Sequence, residues 1–281
     1  MGPSKRKRIT FRSGFTMEVN SREYWVLREV LSKGCTIESL NRGLFRIKKG
    51  TISYTIKRHG KDLLSIKKGQ LRLLGSFEIL NPITDCAAGS YDCDCSNKVV
   101  LDVGGFCGET AVFFWERGAE RVVVYEPVVA HHEFIKKNIM LNSVDAELHE
   151  EGIGNKNGYQ TIHYDMITTG FGALGKGKHQ TKIRVKNACS VIEESQAEVA
   201  KFDCEGAETS LIHVPNGILR KIDFYMIETH TTEIAKAIID KFSIAGFKLV
   251  RRTSNAIHRN VSVVHFAKRS TSRTSMPLGD K

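Results

Sequence analysis

The sequence predicts an α/β protein in which a mostly parallel sheet ends in an antiparallel hairpin and follows a small N-terminal α+β region. Three observations predict this fold class. A strand, a glycine-rich turn, a helix and a second strand follow one another over residues 99–127. Short apolar runs that end in acidic residues recur through the second half of the chain, as buried parallel strands do. The last two apolar runs have no helix between them, which favours an antiparallel pair.

The composition limits the class of protein to which this chain can belong. Of the 281 residues, 41% are hydrophobic, which suffices for one α/β domain with a smaller region beside it. No apolar run approaches the ~20 residues of a membrane span and no secretory signal is recognisable, so we predict a soluble, cytoplasmic protein. The seven cysteines are odd in number and scattered, which argues against a disulfide scaffold. Cys86, Cys93 and Cys95 cluster, but not at a recognised zinc spacing.

The basic residues are concentrated in the N-terminal part. The formal net charge is +11, and residues 1–80 contain 18 Lys and Arg against 6 Asp and Glu, while the remaining residues contain 24 against 25. Such an excess is typical of a surface that binds nucleic acid or another polyanion. A solvated face with a flexible basic tail is the alternative, and we predict that tail over residues 1–20.

A small region of one helix and β-hairpins is predicted over residues 21–90. Ser21 can cap a helix over residues 22–31, and a shorter helical piece is expected at residues 36–41. From residue 44 onward, apolar side chains alternate with polar ones between clusters of turn residues, which predicts strands joined as hairpins.

A linker is predicted over residues 81–97, leading into a main domain that we place at residues 91–268. Because the linker enters beside the glycine turn, Tyr91 and Asp92 are its candidates to contact a bound cofactor. A plain connecting loop is the alternative.

The segment 99–127 has the form of the first half of a nucleotide-binding βαβ unit. Its glycines let the backbone turn sharply and approach a ligand, and the free amides at the helix start attract negative groups. Glu126, at the tip of the second strand, can accept hydrogen bonds from both hydroxyls of a ribose. The dinucleotide fingerprint G-x-G-x-x-G is only partly met. The pattern Asp102-x-Gly104-x-x-x-Gly108 is instead typical of enzymes that use S-adenosylmethionine.

A helix over residues 130–141 and a strand at residues 146–149 are predicted next. His131 and His132 are adjacent on this helix and point apart, so we expect them at the surface. The glycine-rich residues 168–177 lie between two alternating segments and are expected to form a lid over the site.

The ends of the apolar runs carry polar side chains that could form one site. In an open α/β sheet, ligands bind outside the carboxyl ends of the strands. For any one of these side chains a helix cap or a surface carboxylate is the alternative, but their number favours a common site. The residues predicted to converge are Asp102, Glu126, Asp203, Glu205, Glu228 and His230.

The end of the chain completes the fold prediction. A helix that begins at residues 231–233 precedes strands at 247–251 and 261–267, which should pair as an antiparallel hairpin. A mostly parallel sheet that ends in this way is the arrangement of the seven-stranded Rossmann-like methyltransferases. The Ser/Thr-rich residues 269–281 are predicted to be disordered.

Four motifs together resemble the FkbM family of S-adenosylmethionine-dependent methyltransferases. They are VVLDVGGFCGET at 99–110, VVVYEP at 122–127, KFDCEGAE at 201–208 and IETH at 227–230. The KFDCEGAE block makes the resemblance fairly specific.

The resemblance implies S-adenosylmethionine as the cofactor and assigns a role to each matching residue. Glu126 would bind the ribose, Gly152 and Ile153 would lie against the adenine, and Asp203 would sit beside the sulfonium. The full set of implied cofactor-binding residues is Asp102, Gly104, Gly105, Gly108, Glu109, Glu126, Pro127, Gly152, Ile153 and Asp203. The implied catalytic residues are Glu205, Glu228 and His230.

These roles suggest O-methylation of a hydroxyl on a sugar, glycan or other small molecule. A hydroxyl is a poor nucleophile until a base or a metal takes its proton, so Glu205 or His230 is the expected general base. Asp203, Glu205 and Glu228 could also hold a divalent cation. An RNA methyltransferase that docks its substrate on the basic N-terminal region is the alternative, although neither an Asn-Pro-Pro-Tyr block nor a Lys-Asp-Lys-Glu tetrad is evident. A cofactor-binding scaffold without activity is a third reading.

Overall fold

In a computed structural model of the chain, the described residues are 6–41, 43–60, 63–164, 179–255, 257–258 and 260–269. They form an N-terminal part and a larger α/β domain. The N-terminal part contains β1 (Lys7–Thr10), β2 (Thr16–Val19), α1 (Ser21–Ser32), β3 (Thr36–Asn41), β4 (Leu44–Lys49), β5 (Ile52–His59), β6 (Leu63–Lys68), β7 (Leu71–Gly75) and α2 (Leu80–Ala87).

The N-terminal part differs from the sequence prediction in three places. The described part of the predicted flexible tail forms the antiparallel hairpin β1–β2, where Phe11 stacks on Phe15 and Phe15 on Phe45. The piece predicted as helical is strand β3, because its register buries Ile37 opposite Ile47 of β4. The predicted linker begins with helix α2. All three differences depend on contacts with residues outside the segment concerned.

Helix α1 begins at the predicted place but with a different cap. The side chain of Asn20 accepts hydrogen bonds from the amides of Arg22 and Glu23, at 3.0 and 2.9 Å. The Glu23 carboxylate accepts in turn from the Asn20 amide at 3.0 Å, which completes a capping box. Ser21 is therefore the first residue of the helix and not its cap.

The larger domain contains a seven-stranded sheet. Its elements are β8 (Val99–Val103), α3 (Glu109–Glu116), β9 (Arg121–Tyr125), α4 (Val129–Leu141), β10 (Ala146–His149), β11 (Gly152–Gly154), β12 (Gly158–Tyr164), β13 (His179–Asn187), α5 (Ala188–Ser195), β14 (Val199–Phe202), α6 (Asn216–Leu219), β15 (Phe224–Thr229), α7 (Thr232–Ile244), β16 (Phe247–Ser254) and β17 (Ser262–Lys268). A 3-10 helix, Ala207–His213, follows β14.

The strand order in the large sheet is β10-β9-β8-β14-β15-β17-β16. The first five strands are parallel, and β17 is antiparallel to both of its neighbours. The predicted seven-stranded, mostly parallel Rossmann-like sheet with its final antiparallel hairpin is confirmed. Because the order reverses at β8, the crevice beyond the carboxyl ends of β8 and β14 is where such sheets bind ligands.

Two hydrophobic cores cover the two faces of this sheet. The first is shared with the N-terminal part and includes Ile47, Leu80, Phe114 and Val124. The second lies under α5 and α7, where Phe242 stacks on Phe266 at 4.5 Å. The N-terminal sheet is therefore packed onto the larger domain and is not a detached appendage.

A separate three-stranded sheet, β11-β13-β12, follows the edge strand β10. The residues predicted as a lid, 168–177, lie outside the described residues, as does most of the predicted disordered tail. None of the described helices is long and apolar enough to cross a membrane.

Candidate functional site

The glycine turn after β8 is closed directly onto the end of β14. Gly104 has a φ of +87°, and a Cβ there would lie 1.8 Å from the backbone oxygen of Asp203. A Cβ on Gly105 would lie 2.3 Å from Cγ1 of Val124. Gly108 has a φ of +81° and caps α3. Close packing of backbone against backbone is therefore what these glycines make possible.

Asp102 lies beneath this turn and not at its open side. Its side chain is fully buried, with Oδ1 accepting from Nζ of Lys201 at 2.9 Å and Oδ2 from the hydroxyl of Thr110 at 2.6 Å. Lys201 also donates to the carbonyl of Gly104 at 2.8 Å. Burial opposes the ammonium form, but Asp102 and Asp203 outweigh it and raise the pKa of Lys201. The predicted contact of Asp102 with the cofactor is thus replaced by a role in holding the turn.

Glu109 is likewise buried, with 3% of its surface exposed. Its carboxylate accepts from the amide of Cys107 at 3.1 Å, and burial raises its pKa to about 8. The predicted methionine-binding role of Glu109 therefore does not match the position of its side chain within the protein. It ties the loop to the first turn of α3.

Glu126 lies at the carboxyl end of β9, as predicted, and receives several hydrogen bonds. Its carboxylate accepts from the amides of Phe106 at 3.0 Å and Val128 at 2.8 Å. Nδ1 of His131 lies 3.2 Å from it. Burial would raise the pKa of Glu126, but His131 and these amides lower it overall, which keeps the side chain an acceptor.

The prediction that His131 and His132 lie at the surface is wrong, since 5% and 4% of their surfaces are exposed. Nε2 of His132 lies 2.8 Å from the carbonyl oxygen of Glu126, and the ring of His131 packs edge-on against Phe106 at 4.8 Å. The first turn of α4 folds over the end of β9. Adjacent side chains can both be buried where a helix start is covered in this way.

Four of the predicted residues do come together, at the ends of β14 and β15. We call Asp203, Glu205, Glu228 and His230 the carboxylate–imidazole cluster. Nε2 of His230 lies 3.2 Å from Glu205 and 3.8 Å from Glu228. Nδ1 of His230 lies 3.0 Å from Oε1 of the buried Glu208. The backbone of Glu205 has a φ of +53°, an uncommon value for a residue with a side chain.

The geometry of this cluster determines which of its side chains are protonated. Both ring nitrogens of His230 face carboxylates, which favours the doubly protonated ring. Burial opposes that charge, but Glu208, Glu205 and Glu228 outweigh it and raise the pKa of His230 to about 10. Burial raises the pKa of Glu205 to about 8, although His230 opposes the shift. These pKa values favour an imidazolium at His230 at neutral pH and a change in the charge of Glu205 just above neutrality.

Tyr91 links two members of the cluster. Its hydroxyl lies 2.9 Å from Oδ2 of Asp203 and 3.1 Å from Oε2 of Glu228, and its side chain is buried. The Tyr91 hydroxyl has one proton, so it can donate a hydrogen bond to only one of these two carboxylates. Burial and the nearby Asp203 raise the pKa of Glu228 well above its usual range. A protonated Glu228 can therefore donate the second hydrogen bond, to the oxygen of Tyr91. Asp92, the other linker candidate, pairs instead with Arg117 at 2.6 Å.

The cluster also brings together ligand types that divalent cations use. One ligand atom each of Asp203, Glu228 and His230 lies within 4.8 Å of the others, the one such group in the part of the chain that the structure describes. The cation ligands suggested from the sequence were Asp203, Glu205 and Glu228, with Glu205 in place of His230. A protonated imidazole offers no lone pair, so these residues fit a cation only after His230 has lost a proton.

The residues implied for the adenine lie at the other end of the crevice. A Cβ on Gly152 would lie 3.6 Å from Pro127 and 3.0 Å from Ile183. Pro127 and Gly152, both predicted to bind the cofactor, therefore lie next to each other. Ile153 is buried in the second core. A cavity of about 410 Å³ lies between the end of β10 and β13. It is lined by Leu148, His149, Glu150, Glu151, Arg184 and Lys186.

Sequence reasoning missed Lys201, Thr110 and Glu208 as members of the site. A signal existed for Lys201, because a lysine within a strand that is buried on both faces requires a buried partner. All seven cysteines are free, and none belongs to the candidate cation group.

Comparison with models of protein families gives no match, and comparison with curated protein sequences gives none either. Solved structures are similar in fold. Fibrillarin, a pre-rRNA processing protein of Methanococcus jannaschii, has a TM-score of 0.46 and 11% identity, covering 83% of this chain and 97% of its own. A ribosomal protein L11 methylase of Lactobacillus delbrueckii subsp. bulgaricus has a TM-score of 0.39 and 14% identity, covering 66% and 78%. A precorrin-6y C5,15-methyltransferase of Geobacter metallireducens has a TM-score of 0.39 and 9% identity, covering 62% and 81%.

Proposed function

We propose that this protein is an S-adenosylmethionine-dependent methyltransferase of the FkbM type that methylates a hydroxyl on a sugar or other small molecule. One observation carries the proposal. The glycine turn after β8 and Glu126 after β9 lie at the same edge of the sheet as the carboxylate–imidazole cluster. A nucleotide-type binding turn beside groups that can take a proton is what such a reaction requires.

The cofactor would occupy the crevice beyond the glycine turn. Glu126 is the expected acceptor for the ribose hydroxyls, since its pKa is low and its carboxylate is oriented by backbone amides. Pro127, Gly152 and Ile153 would lie on the adenine side. Asp203 would face the sulfonium, where a carboxylate favours the positive charge. Asp102 and Glu109 would act indirectly, by holding the turn.

Methyl transfer is an in-line displacement, so the protein's main task is alignment. The acceptor oxygen forms a bond to the methyl carbon while the carbon–sulfur bond breaks. The electron pair of the broken bond stays on sulfur. The hydroxyl proton would pass to the Glu205 carboxylate. The imidazolium of His230, held by Glu208 at 3.0 Å, would stabilise Glu205 in its ionised form.

Calorimetric titration with S-adenosylmethionine and, separately, NAD tests the cofactor. We expect micromolar S-adenosylmethionine binding that Glu126→Ala abolishes and that Glu120→Ala, a change at an exposed glutamate, leaves intact. Binding of neither cofactor would overturn the proposal. Once a methyl acceptor has been identified, Glu205→Gln and His230→Ala should each lower the single-turnover rate of methyl transfer. Full rates in both variants would overturn the assigned chemistry.

RNA is the second candidate acceptor, and the distribution of charge on the N-terminal sheet favours it. A ribose 2′-hydroxyl is also an alcohol, so the proposed base would serve both substrates. RNA binding can be tested independently of methyl transfer.

A further inference from the structure

The five-stranded sheet β3–β7 has one buried and one open face. Side chains alternate along each strand, and the inward positions include Phe45, Ile47, Ile56 and Ile66, all buried in the first core. The outward positions of β4–β7 include five basic residues. We call Arg46, Lys48, Lys57, Lys67 and Arg72 the basic face.

The pairing register places these cations next to one another. Arg46 lies opposite Thr55, Thr55 opposite Lys67, and Lys67 opposite Arg72. With ~4.8 Å between neighbouring strands, this row of four residues spans about 14 Å across the sheet. Lys57 lies two residues farther along β5 from Thr55, and therefore on the same side of the sheet.

Two of the five cations of the basic face are left open to solvent, whereas the described inward lysines of the same strands have partners. On the inward side, Lys49 donates to the carbonyl of Lys33 and Lys68 pairs with Glu116 at 2.5 Å. On the outward side, Lys57 and Lys67 are exposed and have no ion-pair partner among the residues that the structure describes. Lys57 and Lys67 are therefore the cations of these strands that are most open to an external anion.

The rest of the outward face carries one described acid among hydroxyl and leucine side chains, and Leu63 is 37% exposed there. Its described acid, Glu38, pairs with Arg46 at 3.0 Å and Lys48 at 2.9 Å, so five cations face one carboxylate. Serine and threonine hydroxyls lie between the cations and can donate to phosphate oxygens. The phenyl and phenol side chains of the described strands, Phe45 and Tyr54, point inward and are buried, so they form no platform for base stacking on this face. Such a face favours binding that is independent of base sequence.

We propose that the basic face is a docking surface for the phosphate backbone of RNA. The proposal rests on the proposed function only in that RNA would present the hydroxyl to be methylated. Charge complementarity carries it, since this face holds five of the 18 Lys and Arg of residues 1–80 and one described acid, whereas residues 81–281 contain 24 Lys and Arg against 25 Asp and Glu. Occupation by an anionic membrane is the competing outcome.

Fluorescence anisotropy with a labelled 20-nucleotide RNA of mixed sequence tests the surface. If about five phosphates are contacted, the logarithm of affinity should fall with a slope of about −3.5 against the logarithm of salt. The paired change Lys57→Glu and Lys67→Glu should weaken binding at least tenfold and make the slope shallower. The matched control is Lys236→Glu with Lys248→Glu, two exposed lysines of α7 and β16, and it should keep the affinity within twofold.

Three outcomes would overturn the docking surface. They are no RNA binding by the unaltered protein, equal losses in the two paired variants, and binding to phosphatidylserine vesicles without binding to RNA. The two proposals fail separately. The Lys57/Lys67 variant should retain S-adenosylmethionine affinity, and Glu126→Ala should retain RNA affinity.

Discussion

Nζ of Lys201 lies 2.9 Å from Oδ1 of Asp102, and both side chains are buried at the centre of the sheet. The pair joins β14 to β8 beneath the glycine turn. Because Lys201 also donates to the carbonyl of Gly104, one cation fixes two parts of the turn. The geometry of the crevice therefore depends on a residue that does not line it.

Lys201→Met should destabilise the fold strongly. It removes the cation of a buried pair and leaves the Asp102 carboxylate uncompensated, which costs about 3–5 kcal/mol. Urea unfolding followed by circular dichroism gives the change in free energy. Lys221→Met is the control, since its 3.0 Å pair with Glu193 lies at the surface and is worth about 0–1 kcal/mol. A loss of under 1 kcal/mol in Lys201→Met would contradict the importance of the pair.

Gly104→Ala should be far more damaging than Gly14→Ala, although both glycines have a positive φ. At Gly104 the new Cβ would lie 1.8 Å from the Asp203 oxygen, while at Gly14 nothing lies within 4 Å. Gly14→Ala should cost about 1 kcal/mol from backbone strain alone. Gly104→Ala should lower the melting temperature much more or prevent folding. Similar melting temperatures for the two variants would show that the turn can open.

Glu109→Gln should flatten the dependence of stability on pH. A carboxyl whose pKa rises from 4.5 to about 8 on folding stabilises the fold less as pH increases between these values. The free energy of unfolding of Glu109→Gln relative to the unaltered protein should therefore increase from pH 5 to pH 9. Glu205 and His230 keep their own pH dependence in both proteins. Glu120→Gln, at an exposed position, should show no such trend.

The methyl-transfer rate should rise near pH 8, where the Glu205 carboxyl loses its proton. It should fall near pH 10, where the His230 imidazolium loses a proton. The rising limb is expected because the base must be ionised, and the falling limb because the imidazolium supports that ionised form. Single-turnover rates from pH 6 to pH 11 measure both limbs. The rising limb should vanish in Glu205→Gln, and its persistence there would assign the base to another residue.

Removal of divalent cations should leave the rate at pH 7 unchanged. His230 holds a proton at this pH and cannot ligate a cation together with Asp203 and Glu228. Mn²⁺ binding followed by electron paramagnetic resonance should be absent at pH 7 and strengthen toward pH 10. Inhibition by EDTA at pH 7 that Mg²⁺ reverses would show that a cation displaces the proton.

Local pattern was sufficient for the order of elements in the larger domain. The glycine turn, the buried strands that end in acids and the final hairpin are confirmed, because periodicity and turn residues act over a few neighbouring positions. The same reasoning brought Asp203, Glu205, Glu228 and His230 to one edge, since parallel strands end on the same side of a sheet.

Tertiary structure alone decided which of the predicted side chains face the crevice and which lie beneath it. Asp102 meets Lys201 across 99 positions of the chain, and Tyr91 reaches Asp203 across 112. Residues 36–41 became a strand because β4 was available to pair with them. The physical reason is common to all three: a buried polar group or an open strand edge must find a partner, and that partner lies outside the residue's own segment.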